Sequence, residues 1–316
     1  LNIQGLRKAI EFTARNDPAI KQEVSIRWMA FLDGLLSYKK SESYLALNGD
    51  VDHIGSKLGL SRQEQDVALG IFHERGLIIH LTATETLRKI IIIKPQWLID
   101  ALRKVIRDSS IHVNMEDYES DGLRKDAQLL FHKGIASRDL LAYLWNYDQT
   151  EFFIDLMKRA MLMSGCQDDQ FLIPSLLKEK KGMVAIDKMC VIDFSATFLP
   201  HGVFQRLVCL CVEYIARKTA LDDFNRMSKN YARFSAFAGH EVELIEDFGR
   251  QAILVSSSDI KKVILILSSM LFKINDNVMG GRLKWKLLID GENFELEKDL
   301  EFESPTLDIN SFLDSL

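Results

Sequence analysis

The sequence predicts an α+β protein, with a mostly helical first half and a smaller second half built on an antiparallel sheet with helices. In residues 1–182 apolar side chains recur mainly every three or four positions, which indicates helices packed through one face. In residues 183–316 extended segments predominate instead. The charged run 178–182 contains no apolar side chain, so we expect the boundary between two domains there.

Composition and charge bound the class of protein. The chain has 316 residues, 47% of them hydrophobic and 27% charged, which is enough for two globular domains. The net charge is −5, and residues 292–316 alone hold eight acidic residues against Lys298. The rest of the chain is nearly neutral and lacks the basic excess that is typical of nucleic-acid-binding proteins.

Cysteine content and hydropathy predict a cytoplasmic protein without a transmembrane segment. Four cysteines are too few for a disulfide framework, and we expect Cys209 and Cys211 to be buried thiols rather than a metal or redox pair. The longest apolar run, 263–274, is too short to span a bilayer. Because the sequence begins with Leu1 rather than methionine, we expect a longer parent chain.

A winged-helix unit is indicated in the first half, where two helices precede a hairpin. Glycine after a helix favours a left-handed cap, and Ser-x-x-Glu is the capping-box pattern. The expected parts are a helix over 51–58, its cap Gly59, the capping box Ser61 with Glu64, the end of the second helix at Gly76, and strands over 77–81 and 89–93.

The same order of signals returns more loosely and predicts a second winged-helix-like unit. A proline such as Pro95 suits the first turn of the helix that joins the two units. The expected parts of the second unit are a loop over 108–125, a helix from its cap Ser137 to Trp145, a second helix capped by Thr150, and a strand over 171–173 that Pro174 ends.

The second half is expected to form a small antiparallel sheet with two helices. The predicted strands are 191–198, 232–238, 241–246, 251–256 and 283–289, and the predicted helices are 201–218 and one from its cap Ser258 to about Phe272.

The chain shows no motif for catalysis, cofactor binding or metal binding. It has no Gly-x-x-x-x-Gly-Lys-Ser/Thr loop for phosphate, no His-Glu-x-x-His and no Gly-x-Ser-x-Gly. The seven histidines are scattered, and we expect His112, His132 and His240 to be solvated or capping residues. We therefore assign no catalytic, cofactor-binding or metal-binding residue and predict a protein that is not an enzyme.

A winged-helix nucleic-acid-binding regulator is the alternative function, because such domains often place their second helix in the major groove. That helix, 62–75, holds two arginines against three acidic residues. Since contacts between cations and phosphates dominate affinity, this balance favours contact with protein and not with nucleic acid.

Five blocks in order resemble the COR domain, which follows the Ras-like Roc GTPase domain in Roco proteins. The blocks are 71–78, 92–98, Gly134-Ile135 with Leu144-Trp145 and Leu156-Met157, 171–177, and 198–207. The positions that match the family's motif are Pro95, Trp97, Pro174, Pro200, Gly202 and Arg206.

The resemblance implies a COR-A domain over residues 1–182, a COR-B domain over residues 183–316, and a scaffold role. COR domains pack on the Roc domain of the same chain, form homodimers through COR-B, and couple the nucleotide state to dimerisation and to effector domains. GTP and Mg would belong to the Roc domain, outside these residues. By alignment Phe194 takes the family's Roc-facing position and is the leading contact, with a place in the COR-B core as the alternative; Phe198 and Leu199 are also expected to face Roc.

Overall fold

The computed structural model describes residues 3–16, 25–106, 118–119, 121–166, 169–180, 190–216, 227–289 and 292–294. The chain divides into two compact units, Leu1–Asp100 and Ala101–Leu316. Helices and antiparallel sheets occur in both units, and the predicted α+β class is confirmed. The boundary between two domains that the sequence predicts at 178–182 stays a prediction. Most of the acidic tail, 295–316, lies outside the described residues.

The first unit contains a three-stranded antiparallel sheet in the order β1-β3-β2. Its elements are α1 (Ile3–Asn16), α2 (Ile26–Ser37), β1 (Tyr44–Ala46), α3 (Asp52–Lys57), α4 (Arg62–Glu74), β2 (Ile79–His80), α5 (Glu85–Arg88), β3 (Ile90–Ile92) and α6 (Pro95–Val105), which continues past Asp100.

Local signals set the ends of the helices in this unit. The capping box is confirmed: the Ser61 hydroxyl accepts from the Glu64 N–H at 3.3 Å, and the Ser61 N–H donates to the Glu64 carboxylate at 2.9 Å. Gly59 and Gly76 follow α3 and α4 with φ of 68° and 70°, values that glycine adopts without strain. The amphipathic faces of α2 and α4 then meet in the core, where the rings of Phe31 and Phe72 are 6.2 Å apart.

The second unit begins with a repeat of the same element order. Apart from α5, both series run helix, strand, helix, helix, strand, strand, and both sheets place the first strand beside the third; the second sheet has the order β4-β6-β5. This is the order that a winged-helix unit requires, although the winged-helix interpretation itself stays a prediction. The repeated elements are α7 (Arg124–Lys133), β4 (Ile135–Ser137), α8 (Arg138–Trp145), α9 (Tyr147–Arg159), β5 (Ser164–Gly165) and β6 (Gln170–Leu172).

One prediction of a helix cap in this stretch is wrong and one is confirmed. Ser137 caps α8, accepting from the Leu140 N–H at 3.3 Å, as expected. Thr150 does not cap α9: the helix begins at Tyr147, and the Thr150 hydroxyl donates to the carbonyl of Asn146 one turn earlier. Of the predicted loop over 108–125, residues 108–117 and 120 lie outside the described residues, and the last two residues, Arg124 and Lys125, belong to α7.

The remainder of the second unit is a seven-stranded antiparallel sheet with two long helices. The strand order is β13-β12-β7-β11-β10-β9-β8. The elements are β7 (Cys190–Asp193), α10 (Val203–Ala216), β8 (Met227–Ser228), β9 (Tyr231–Phe237), β10 (His240–Asp247), β11 (Ala252–Ser257), α11 (Ile260–Ile274), β12 (Lys286–Ile289) and β13 (Glu292–Phe294).

The two long helices and the sheet enclose the largest core of the unit. Helices α10 and α11 contact each other, α10 contacts β9 and α11 contacts β11. Cys209 and Cys211 on α10 are confirmed as buried free thiols, and burial raises the pKa of both. Ser258 does not cap α11; the neighbouring Asp259 does, accepting from the Lys262 N–H at 3.3 Å.

Candidate docking surface and the adjoining cavity

The loop between β7 and α10 contains all three residues that are predicted to face Roc. A single residue, Gln251, fixes the path of this loop through its backbone and its side chain. The Gln251 carbonyl accepts from the Phe194 N–H at 2.9 Å, and its side-chain oxygen accepts from the Leu199 N–H at 2.7 Å. The Gln251 amide group donates to the Phe248 carbonyl at 2.6 Å. Gln251 itself adopts a left-handed φ of 53°. Both ends of the loop are therefore tied to the β10–β11 turn.

The three predicted Roc contacts point in different directions. Phe194 is fully buried in the large core and Leu199 is 3% exposed, whereas Phe198 is 62% exposed. The predicted strand over 191–198 ends at Asp193, because the Asp193 carboxylate accepts from the N–H and hydroxyl of Ser195 and turns the chain. This turn sends Phe198 to the surface, while the prediction that these residues contact Roc stays untested.

A shallow aromatic groove lies beside the loop. The ring of Trp285 is 6.4 Å from that of the buried Phe194 and 4.8 Å from that of Phe272, which is 51% exposed. The groove has a volume of about 480 Å³, and Lys284 and Lys286 lie at its rim. The surface formed by Phe272 and Trp285 is named the aromatic surface.

The motif residues Gly202 and Arg206 meet at the start of α10. Gly202 has φ of 87°, and its carbonyl accepts from Arg206 Nη1 at 3.1 Å. A Cβ at position 202 would stand 2.6 Å from that same nitrogen. Arg206 Nε is buried and has no hydrogen-bond partner, and burial lowers the pKa of the guanidinium.

Arg206 lines a cavity of about 860 Å³ that lies wholly within the second unit. Glu246, on β10, lines the same cavity and is 6% exposed. Its Oε2 accepts from the Gln205 amide at 3.2 Å, whereas its Oε1 has no partner. Burial raises the pKa of Glu246 to about 7; Glu179 adds to the rise, and Gln205 and Lys229 oppose it.

The other motif residues have structural places. Pro95 is the first residue of α6, as predicted, and the ring of Trp97 lies 4.7 Å from that of Tyr44 within the first unit. Pro174 is buried and starts a 3₁₀ turn, beside the Ile173 N–H that donates to the Gly134 carbonyl at 2.7 Å. Pro200 precedes α10, where its carbonyl accepts from the Val203 N–H.

Helix α1 presents an unburied apolar face. None of its residues is buried, and Ile3, Leu6, Ile10 and Phe12 are between 56% and 86% exposed. Because an amphipathic helix gains its stability mainly by burying its apolar face, α1 has the character of a helix that packs on a partner.

The helix that would read nucleic acid in a winged-helix regulator has one of its two arginines, Arg62, paired with a carboxylate. Arg62 pairs with Asp52, and the nearby Arg88 pairs with Asp66 on α4 at 3.0 Å. Phosphate binding requires cations that are available to the ligand. The surface of α4 therefore gives no support to the alternative function.

Among the described residues, no group of three or more His, Cys, Asp or Glu side chains is placed to hold a metal ion. Over the same residues, none of the helices has the length and hydropathy needed to cross a membrane.

Sequence reasoning missed the two side chains that shape this site, Gln251 and Glu246. Glu246 left a signal, because the alternation along β10 gives inward positions to Val242, Leu244 and Glu246, and a carboxylate in such a position is unusual. Nothing in the sequence pattern marks Gln251, because the loop that it holds, between β7 and α10, is remote from it in the sequence.

Comparison with known families identifies the class of domain. Residues 25–177 match the family model described as "C-terminal of Roc, COR-A domain". These residues are a COR-A domain, and the resemblance to COR domains is confirmed over them. COR domains of this kind follow the Roc GTPase domain in Roco proteins.

A solved structure from Methanosarcina barkeri, "Roco2 RocCORdC bound to GDP", is similar to this chain with 16% sequence identity and a TM-score of 0.44. The similarity covers 55% of this chain and 51% of that one, so the chain spans about half the length of that protein. No curated protein matches the chain.

Proposed function

We propose that this chain is the non-catalytic scaffold of a Roco protein, which docks on the Roc GTPase domain and relays its nucleotide state. The COR-A match supports the Roco context. The single observation that carries the docking role is the exposure of Phe198: a large aromatic side chain, 62% exposed, projects from a loop that Gln251 holds in place. Exposed aromatic residues on a fixed loop are characteristic of protein-binding surfaces.

The aromatic surface supports this proposal because it extends the apolar contact beyond one residue. Phe272 is 51% exposed beside the half-buried Trp285, and aromatic side chains dominate the energetics of protein interfaces. In this proposal Phe198 touches the Roc domain, whereas Phe194 and Leu199 support the loop from within the core. GTP and Mg stay on the Roc domain, and this chain needs no cofactor of its own.

The exposed face of α1 is proposed as a second contact with Roc. Its apolar side chains are unburied within the described part of the first unit. Two separate contacts would let a change in the nucleotide state alter how the scaffold is held, which is the structural requirement for coupling.

Docking is tested by titrating this chain with the Roc domain of the same protein, loaded with GDP or with a non-hydrolysable GTP analogue. Phe198→Ser should weaken binding by at least about tenfold, the usual effect of removing an interface hot spot. The matched control is Tyr147→Ser, which removes a 79% exposed aromatic side chain elsewhere in the second unit. Equal binding by both variants and the unchanged chain would contradict the contact at Phe198.

Homodimerisation through the second half is part of the proposal and has its own test. Light scattering coupled to size exclusion, at concentrations from low to high micromolar, should give a mass that rises towards that of a dimer. A constant monomer mass over this range would contradict dimerisation by these residues alone and would leave the docking test unaffected.

A further inference from the structure

We propose that the cavity at the start of α10 binds a small organic anion, whose negative group lies against Arg206 and whose apolar body fills the cavity. This site is separate from the aromatic surface and does not depend on the proposed docking of Roc.

The cavity is lined by the cations Lys180, Arg206 and Lys229 and by the acidic residues Glu179, Glu246 and Asp247, and the start of α10 adds the partial positive charge of a helix N-terminus. The first turn of this 14-residue helix contains no acidic side chain, and Gly202, which precedes it, has no side chain that could accept from its N–H groups, of which that of Val203 donates to the Pro200 carbonyl. The N-terminus of a helix carries a partial positive charge and favours an anion. Arg206, a full positive charge, stands one turn inside it.

The guanidinium of Arg206, near the N-terminus of α10, lacks an anionic partner among the described residues. Its only hydrogen bond among the described residues runs from Nη1 to the Gly202 carbonyl, and its buried Nε has no acceptor. It forms no ion pair with any carboxylate of the described residues. A half-buried guanidinium without a carboxylate is unfavourable by itself, and an anionic ligand would remove this penalty.

A second, independent observation points to a ligand in the same cavity. Glu246 is nine-tenths buried, and its Oε1 has no hydrogen-bond partner, although Oε2 is held by Gln205. Unpartnered polar atoms on buried side chains are rare in folded proteins and call for an explanation. A hydrogen-bond donor on the ligand, remote from its anionic group, would satisfy this oxygen.

The rest of the lining defines the body of the ligand. Met161, Leu162 and Leu254 provide apolar walls, and the ring of Phe248 lies 4.6 Å from that of His201 at the lining. A volume of about 860 Å³ falls within the range of small-molecule sites, which are mostly apolar with a few convergent polar groups. The chemistry of the cavity therefore fits a carboxylate or phosphate joined to an apolar or aromatic body.

The test uses the whole 316-residue chain and three probes, each with a phenolic O–H as the donor: 4-hydroxyphenyl phosphate, 4-hydroxybenzoate and phenol. Binding is followed by calorimetry and by the NMR signal of the Arg206 Nε–H group. At least one of the two anions should bind at millimolar concentration and shift that signal, whereas phenol, which lacks the charge, should bind much more weakly. The arm that binds more tightly distinguishes a phosphate from a carboxylate head. If neither anion binds, or if phenol binds equally well, the proposal is overturned.

A matched pair of variants assigns the binding to the cavity. Arg206→Gln should weaken binding of the anion by about tenfold or more, as expected for the loss of a charge-assisted hydrogen bond. Arg282→Gln removes an exposed arginine of the same unit and should leave binding unchanged. Because the signal in the unchanged chain does not rely on any variant, the proposal remains testable even if Arg206→Gln fails to fold. Equal affinity in a folded Arg206→Gln chain would overturn the site.

Discussion

Gly202 illustrates how one motif residue can have two physical reasons for its identity. Its φ of 87° lies in the left-handed region, where a side chain is strained, and a Cβ there would crowd Arg206. Gly239 has the same φ of 87°, but nothing lies within 4 Å of the Cβ position. The two glycines therefore separate the cost of backbone strain from the cost of displacing Arg206.

Substitution of Gly202 should cost more stability than substitution of Gly239. Gly239→Ala should lower the free energy of unfolding by about 1 kcal/mol through backbone strain alone. Gly202→Ala should add roughly 1 kcal/mol, because the hydrogen bond from Arg206 to the carbonyl of residue 202 is lost. Urea unfolding measures both values. In an Arg206→Gln background the excess should vanish; an excess that persists would show that Arg206 is not its cause.

Glu246 should make stability depend on pH in a defined window. Its pKa is raised to about 7 in the folded chain from 4.5. The folded state therefore holds a proton that the unfolded state has released, so stability should fall as pH rises from about 4.5 to about 7 and level off above. Glu246→Gln removes the ionisable carboxyl group, so thermal unfolding across that pH window should show a flatter dependence of stability on pH. An unchanged profile would contradict the burial of an ionisable carboxyl at this position.

At the scale of single elements, local chemistry predicted helix ends where one residue dominated. Ser61 with Glu64 and Ser137 were identified because their side chains meet N–H groups three residues ahead. Ser258 was preferred wrongly over Asp259, since both residue types cap helices and the sequence does not decide which one leaves the strand. Where two neighbouring residues can both cap a helix, tertiary contacts decide at which residue the helix begins.

The capping box should have a measurable effect on the first unit. Ser61→Ala removes the acceptor for the Glu64 N–H and the hydroxyl that donates to the Glu64 carboxylate, so α4 should lose about 1 kcal/mol of stability. Ser56→Ala is the control, because Ser56 is exposed on α3 and alanine is the better helix former. Chemical denaturation should show a loss for the first variant alone; similar values for both would contradict the capping role.

At the scale of the whole molecule, the strands were largely predictable but their order was not. Residues 251–256 were predicted as a strand, and β11 covers Ala252–Ser257. Its neighbour β7, however, comes from a segment far earlier in the chain, and β7 also pairs with β12 near the end of the described residues. Such long-range pairing depends on complementary packing across the sheet, which local patterns do not encode.

The central claim, that this scaffold docks a Roc domain through a fixed loop, is tested most directly by amide hydrogen exchange of the chain with and without that domain. Exchange should slow over residues 194–202 and around Trp285 when Roc is added, and over α1 if the second contact forms, because a docked partner excludes water from these amides. The buried amides of α10 provide the internal reference and should not change. Unaltered exchange over both 194–202 and the segment around Trp285, at Roc concentrations that saturate binding, would contradict the claim.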